Sequence, residues 1–435
     1  KTYAATYLDD IVIAGTKKTE SAPVWSNTIK KGGIVFNNNN GAGDGKWETP
    51  SNWSNSKVPG AEDEVTIKYP ATISSNVNVK YLAISGGALT INSGATLTVT
   101  GELVNNDEYN LTINDGAQVF HNSENVKARF AMDIVAPETW SSENTDGWQF
   151  IAAPFVNNTA PIANFTSLNS STIVYDLYKY NGVNAGAEWD NQKDNPGTWG
   201  YYFENGVGYL ASYPEESTAY LSGTLNNASS HTWNLTYNDE KQKPLANFHL
   251  LGNPFSFDMD MSKAIYANLV EGVAIVTAQG GYNYEVTSIP VGDGFFVKAT
   301  KENPSFSYNA ASKATRGEKT NSLNITATGN AGKDNVVINF AGKSEGFNKL
   351  QNFNDAIATV YVQNEGTNYG IFNCDEDVQE IELCFNANQM GNYTISIEPN
   401  GKFQTVTLVD RFTGIETNML VEDYTFTAMS NVNNN

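Results

Sequence analysis

LTINSGA at residues 89–95 returns as LTINDGA at residues 111–117, an offset of 22. A fixed period of about that size marks repeat units that cannot bury an apolar face until a neighbour stacks on them. The columns extend beyond the echo. Leu82 recurs as Leu103 after 21 residues, Leu89 as Leu111 after 22, and Leu97 as Val119 after 22. Inside each unit short runs alternate, as in Thr96, Leu97, Thr98 and Val99, so leucine and valine face one way and threonine the other. Gly86, Gly87, Gly94, Gly101 and Gly116, with Asn92 and Asn114, fall where a chain turning corners needs positive φ. Residues 64–122 are therefore expected to form a short parallel β-helix of two to three coils. A plain antiparallel meander is the alternative, and it leaves the constant offset in three columns without a cause.

Composition sets the frame around that core. The 435 residues suffice for two to four domains. Only 17% are charged and long helix-forming runs are missing, so all-β is expected. A net charge of −21 disfavours nucleic acid and anionic membrane surfaces as partners. No window approaches the roughly 18 consecutive apolar residues of a membrane span. Cys374 and Cys384 are too few for a disulfide scaffold; two free thiols are expected, with a bridge between them as the other possibility.

Residues 1–45 read as a strand, KTYAATYLDDIVIAG, followed by the Asn-Gly tract NNNNGAGDG. YLDDIVI resembles the last strand of jelly-roll modules in secreted carbohydrate-active proteins, which implies that the chain begins at the tail of a preceding domain. Residues 46–145 hold the β-helix, with Trp47 and Trp53 as its N-terminal cap; glycan stacking is the competing use of the two indoles. The pattern formed by Trp47, Asn52, Trp53, Val58, Pro59, Asp63, Val65 and Ile67, leading into the LTIN coils, resembles the opening of β-helical segments in large adhesin-like surface proteins of Bacteroidetes. That likeness implies β-sandwich modules behind the β-helix, an extracellular or outer-surface location, and export by type IX secretion.

From residue 146 the period changes. GWQFIAAPF (147–155) is echoed by FHLLGNPF (248–255), and GVGYLAS (206–212) by GDGFFVKA (292–299), with offsets of 100 and 86. Residues 146–312 are expected to be a duplicated β-rich unit, about 146–245 and 246–312, each with a short helix candidate, PIANF at 161 and SKAIYANL at 262. KATRGEKT (313–320) reads as a linker. Residues 313–435 carry seven alternating runs, LNITA, VVINF, IATVYVQ, VQEIELCF, YTISIE, FQTVTLVD and YTFTA, which fit an immunoglobulin-like sandwich. The fold class is thus all-β: a short right-handed parallel β-helix, duplicated sandwich-like units and a C-terminal immunoglobulin-like sandwich.

Chemistry is sparse. His121, His231 and His249 share no metal-ligand spacing, and the nucleophile-elbow, Walker and zincin motifs are absent from the sequence. Asp258 and Asp260 alternate with Met259 and Met261, the pattern of a wet strand edge. A structural calcium there is an unsupported possibility, and no cofactor is expected. Asp107 and Glu108 lie on a loop and Asp115 aligns with Ser93, so the coils carry no carboxylate ladder. The aromatic stretch between 175 and 213 is the stronger lead. In EWDNQKDNPGTWGYYF, Trp189, Asp190, Trp199 and Tyr201 combine flat rings with polar neighbours, as a glycan site needs, whereas the plainer reading is that the rings fill a β core. The expected function is a noncatalytic, monomeric, adhesin-like structural or interaction protein that meets a host or bacterial surface glycan or protein, with no membrane insertion. A glycan-binding module built on the aromatic loop is the alternative, and a β-helical polysaccharide-degrading enzyme is third. An enzyme would need two carboxylates about 5–9.5 Å apart in a cleft.

Overall fold

Leu89, Thr90 and Ile91 pair in parallel with Leu111, Thr112 and Ile113, the partners the 22-residue echo demands. The other two columns are also in register, Leu82 with Leu103 and Leu97 with Val119. The computed structural model describes residues 33–137, 147–160, 175–182, 188–194, 199–238, 245–312 and 321–429, together with positions 162, 165, 197, 432 and 433. The jelly-roll-like strand in 1–15, the 313–320 linker and most of PIANF lie outside the described residues.

The chain is all-β with a solenoid of about 3 turns. One parallel sheet stacks Ile34–Phe36, Glu64–Ile67, Val77–Ile84, Thr96–Val104 and Gln118–Phe120; the other stacks Ala71–Ile73, Leu89–Ile91, Leu111–Asn114 and Lys127–Ile134. The inward leucine, isoleucine and valine side chains of every coil are buried in one core, at about 1.5–3 kcal/mol each relative to exposure. Gly94 (φ 77°) and Gly116 (φ 74°) turn equivalent corners, where Gly94 N donates to Gly116 O at 2.9 Å. Asn92 and Asn114 do not take positive φ. They stack as a ladder instead, Asn114 Nδ2 donating to Asn92 Oδ1 (3.3 Å) and Asn92 Nδ2 to Ser74 Oγ (3.0 Å).

Both ends of the solenoid are closed. At the N-terminal end Trp47 and Trp53 pack edge to face at 4.6 Å, Trp53 meets Phe36 at 4.9 Å, and Trp53 Nε1 donates to Trp47 O. The Asn-Gly tract is fastened to this cap, because Asn52 Nδ2 donates to Asp44 Oδ1 (2.7 Å) and Lys46 O (2.8 Å). At the far end Ser217–Leu225 adds antiparallel to Lys127–Ile134 and pairs in turn with Phe155–Asn158. The edge of the other sheet is covered by the chain after Pro254: Val119 N donates to Ser256 O (2.6 Å), Ser256 Oγ to Val119 O (2.8 Å), and Phe120 stacks on Phe257.

The two echoed segments are structurally equivalent. Gln149–Ala152 pairs with Gly208–Ser212 so that Phe150 faces Leu210 and Ala152 faces Gly208. Phe248–Gly252 pairs with Gly294–Lys298 so that Leu250 faces Phe296 and Gly252 faces Gly294. Offsets of 100 and 86 convert one register into the other, and the hairpins bond crosswise under the same rule: Ala152 N donates to Gly292 O (2.6 Å) and Gly252 N to Gly206 O (3.0 Å). The seam requires glycine, since a Cβ on Gly208 or Gly252 would lie 2.5 Å from Leu251 O or Val207 O. SKAIYANL is not a helix. After a single 3-10 turn at Met261–Lys263, Ala264–Ala267 is a strand paired with Ser305–Asn309, where Tyr266 packs on Phe306. Tertiary pairing overrides a helical pattern this short.

Behind the repeat, one sheet runs in the order Tyr424–Ala428, Gly391–Asn400, Ser322–Gly329, Gly332–Phe340, Thr367–Cys374, Thr359–Asn364, Leu383–Ala387 and Val432–Asn433. It is rolled: Phe385 near one edge touches Tyr393 (5.2 Å) and Phe426 (5.0 Å) near the other. Thr367–Cys374 has no counterpart among the seven expected runs, and it pairs in parallel with Gly332–Phe340. Its Gly370 lies against the Tyr284 ring, where a Cβ would approach to 2.4 Å. FQTVTLVD and its neighbour form a separate hairpin, Thr407–Asp410 with Ile415–Asn418. Cys374 and Cys384 are free and buried, and burial pushes both thiols up.

The repeat and the rolled sheet share a core in which Phe248, Leu250, Tyr282 and Phe296 meet Val337, Phe347 and Ile371. A buried polar seam runs beside it. Lys349 Nζ lies 2.8 Å from both Asp334 carboxylate oxygens and donates to Asn335 O (2.7 Å), Val360 N donates to Asp334 Oδ2, and Leu350 N donates to Tyr284 OH.

Candidate functional site

The strand Asp176–Tyr180 carries the aromatic region, and its alternation decides which side chains share a surface. Tyr178 and Tyr180 face Phe296 and Trp189, with Tyr180 and Trp189 rings 5.0 Å apart. Lys179 points to the opposite face, beside its cross-strand partner Asp190. There Lys179 Nζ lies 5.2 Å from the Trp199 ring, donates to Trp199 O (3.2 Å) and pairs with Glu204 at 2.8 Å. Trp189 and Trp199 therefore belong to opposite faces of one sheet.

The four expected residues do not form a single site. Trp199 is 1% exposed and packs on Tyr209, so its ring offers no free face to a sugar. Trp189 is half-buried in the core shared with the rolled sheet. Only Tyr201, 64% exposed, stands out into solvent, and the neighbouring Tyr202 meets it edge to face at 4.7 Å. The two tyrosines border an open groove of about 590 Å³ whose lining includes Val156, Asn157, Asn158, Glu204 and Asn205, with Trp199 beneath. Asn158 Nδ2 donates to Phe203 O (2.7 Å) and Asn205 Nδ2 to Pro254 O (3.1 Å), which fixes both amides. Exposed rings above immobilised amides are what an uncharged sugar can stack on and hydrogen-bond to.

The remaining polar candidates are occupied. Asp258 Oδ1 accepts from Val291 N (3.1 Å) and Asp260 Oδ1 caps the following turn at Ser262 N (3.0 Å), so each of these two carboxylates serves a backbone donor. Among the described residues no three His, Cys, Asp or Glu side chains are arranged to hold a metal ion. The histidines sit in separate elements. Desolvation, against a weaker opposing effect of the Ser123 backbone, pushes the His121 ring down to about 4, which keeps it neutral. His231 lies in the strand Ser230–Asn234, packed on Trp233 at 4.3 Å.

Two features went unseen in the sequence. At the seam between the last coil and the G-D-G turn, burial raises Asp115, Asp258 and Asp293 above the ordinary carboxylate range; Asp293 is raised furthest, chiefly by desolvation and then by the charges of the other two. The aligned echoes gave the turn but not the charge of Asp115 that acts on it. On the outer face of the solenoid, Arg129 lies between Tyr109 and Tyr220, which are far apart in the chain.

No curated protein and no solved structure matches the chain. A family model matches residues 38–280, more than half of the chain, taking in most of the solenoid, its cap and most of the duplicated unit. The chain accordingly belongs to the family described as a domain of unknown function, DUF8693.

Proposed function

We propose that this chain is a noncatalytic, adhesin-like interaction protein, secreted or displayed at the cell surface, in which fused β modules hold a glycan-contacting groove in a fixed orientation. The observation that carries the reading is the pair Tyr201 and Tyr202, exposed at the rim of a groove whose amides are already immobilised. Rigid presentation follows from three junctions. The last coil continues into Ser217–Leu225, its other sheet is covered by Ser256 and Phe257, and the repeat shares a core with the rolled sheet. In this reading the rolled sheet is an immunoglobulin-like module carried behind the repeat. The surface location and type IX export are supported by sequence likeness to Bacteroidetes adhesin-like proteins.

The test is a glycan array probed with the intact chain and with Tyr201→Ala/Tyr202→Ala. Loss of about 1–3 kcal/mol per stacked ring, read as at least tenfold weaker retention on the ligand found, supports the groove. Unchanged retention removes it.

A further inference from the structure

Of the 26 basic side chains only Arg129, Arg316 and Arg411 are arginine. Arg129 projects from the strand Lys127–Ile134 on the outer face of the solenoid, where Nε donates to Thr112 Oγ1 at 2.8 Å. Its guanidinium carbon lies 4.9 Å from the Tyr220 ring centroid and 5.8 Å from that of Tyr109. Both rings are open to solvent, Tyr109 at 65% and Tyr220 at 50% exposed. Among the described residues the two terminal guanidinium nitrogens have no hydrogen-bond or ion-pair partner. The carboxylate on the same turn as Tyr109, Glu108, is taken by Thr159 Oγ1 at 2.6 Å.

The surroundings hold this arrangement in place. Tyr109 N is capped by Asp107 Oδ1 (3.0 Å), and the turn is fastened by the buried Asn105 amide, which donates to Asp107 O (2.7 Å) and Lys127 O (2.6 Å). Tyr220 is fixed by the antiparallel pairing of Ser217–Leu225 with Lys127–Ile134. A planar fork with its two outer donors free matches a carboxylate, and a flat ring on either side matches the C–H face of a pyranose. Lysine could supply the charge but not the fork.

We propose that Arg129, Tyr109 and Tyr220 form a second saccharide site, selective for a sugar that bears a carboxylate, of the hexuronate class. It is separate from the Tyr201–Tyr202 groove and does not rest on it. The net charge of −21 opposes long polyanions, so the ligand is a short chain, one carboxylate of which is met at close range.

The experiment titrates a short oligogalacturonate, and its carboxyl-reduced neutral counterpart, into the intact chain by calorimetry. The variants are Arg129→Lys, Arg129→Gln, Tyr220→Ala and Tyr201→Ala/Tyr202→Ala, and hydrogen exchange over 127–134 verifies that the sheet is kept. The expected result is acid oligomer bound about tenfold or more tighter than the neutral one, a similar loss in both Arg129 variants and in Tyr220→Ala, and no change in the double tyrosine variant. Failure of the wild type to bind the acid oligomer, equal affinity for the neutral one, full affinity in Arg129→Lys, or loss in the double tyrosine variant overturns the proposal.

Discussion

Replacing Ile113 by alanine probes the stacking of coils where it is tightest. Ile113 is in register with Ile91 on one side and Phe130 on the other, and all three are fully buried. The substitution removes three carbons, about 2.4 kcal/mol of transfer free energy at about 0.8 per carbon. Because neighbours on both sides are held by their own hydrogen-bonded ladders, the void closes poorly, and the total should reach about 3–4 kcal/mol, within the usual 2–5 range. Thr98→Ala, on the outward face of the solenoid's other sheet, should stay within about 0.5 kcal/mol. Urea unfolding followed by tryptophan fluorescence reads the change, since Trp47 and Trp53 belong to the same buried cluster as Ile113. The slope should be unchanged and the midpoint lowered. If the two substitutions cost the same, or Thr98→Ala costs more, inward columns are not what holds the coils together.

Other expectations follow from single contacts. Gly252→Ala forces a methyl against Ala152 and Val207 O at the seam of the two copies and should cost about 1–3 kcal/mol, whereas Gly342→Ala, at an open position, should act only through its φ of 95°; urea midpoints compare the two. Lys349→Met strands the buried Asp334 carboxylate and should cost about 3–5 kcal/mol; adding Asp334→Leu should recover most of that loss in the same assay, and a double variant no better than the single one would refute the seam's ion-pair account. Asp115, Asp258 and Asp293 hold protons more tightly folded than unfolded. Their contribution is therefore complete below the ordinary aspartate value of about 3.9 and declines as pH rises through their raised folded values. Asp293→Asn should stabilise the chain at neutral pH and flatten that decline, and a steeper decline in urea midpoints would contradict the cluster. Cys374 and Cys384, buried with thiols pushed up, should react with a thiol reagent only on unfolding.

The solenoid was legible because its information is local. A rung places one leucine above another at a spacing set by chain length, so offsets of 21 and 22 become registers directly. The same holds for the duplicated hairpins, whose offsets of 100 and 86 survive even in the crosswise bonds between copies. What failed was anything that depended on which face of a sheet a ring occupies. Trp189 and Trp199 look like one aromatic loop, yet Tyr180 takes the first to one face and Lys179 the second to the other. SKAIYANL has helical spacing, but Ser305–Asn309 offered an edge and Phe306 a ring for Tyr266. The rolled C-terminal sheet needs a parallel pair between distant strands, and Gly370 hid one of them behind a residue type that discourages strand assignment. Arg129 gave no signal because its partners come from a turn 20 residues before it and a strand about 90 after it.

The most direct measurement is a disulfide map of Thr90→Cys/Thr112→Cys under mild oxidation, with Thr90→Cys/Gln118→Cys as the control. Positions 90 and 112 are register partners on neighbouring parallel strands, about 4.8 Å apart at their Cα atoms, a span a disulfide bridges. Residue 118 belongs to the other sheet. Proteolytic mapping should find the 90–112 bridge formed within the folded chain and none between 90 and 118. Absence of the first, or equal formation of the second, would contradict the coil-on-coil stacking.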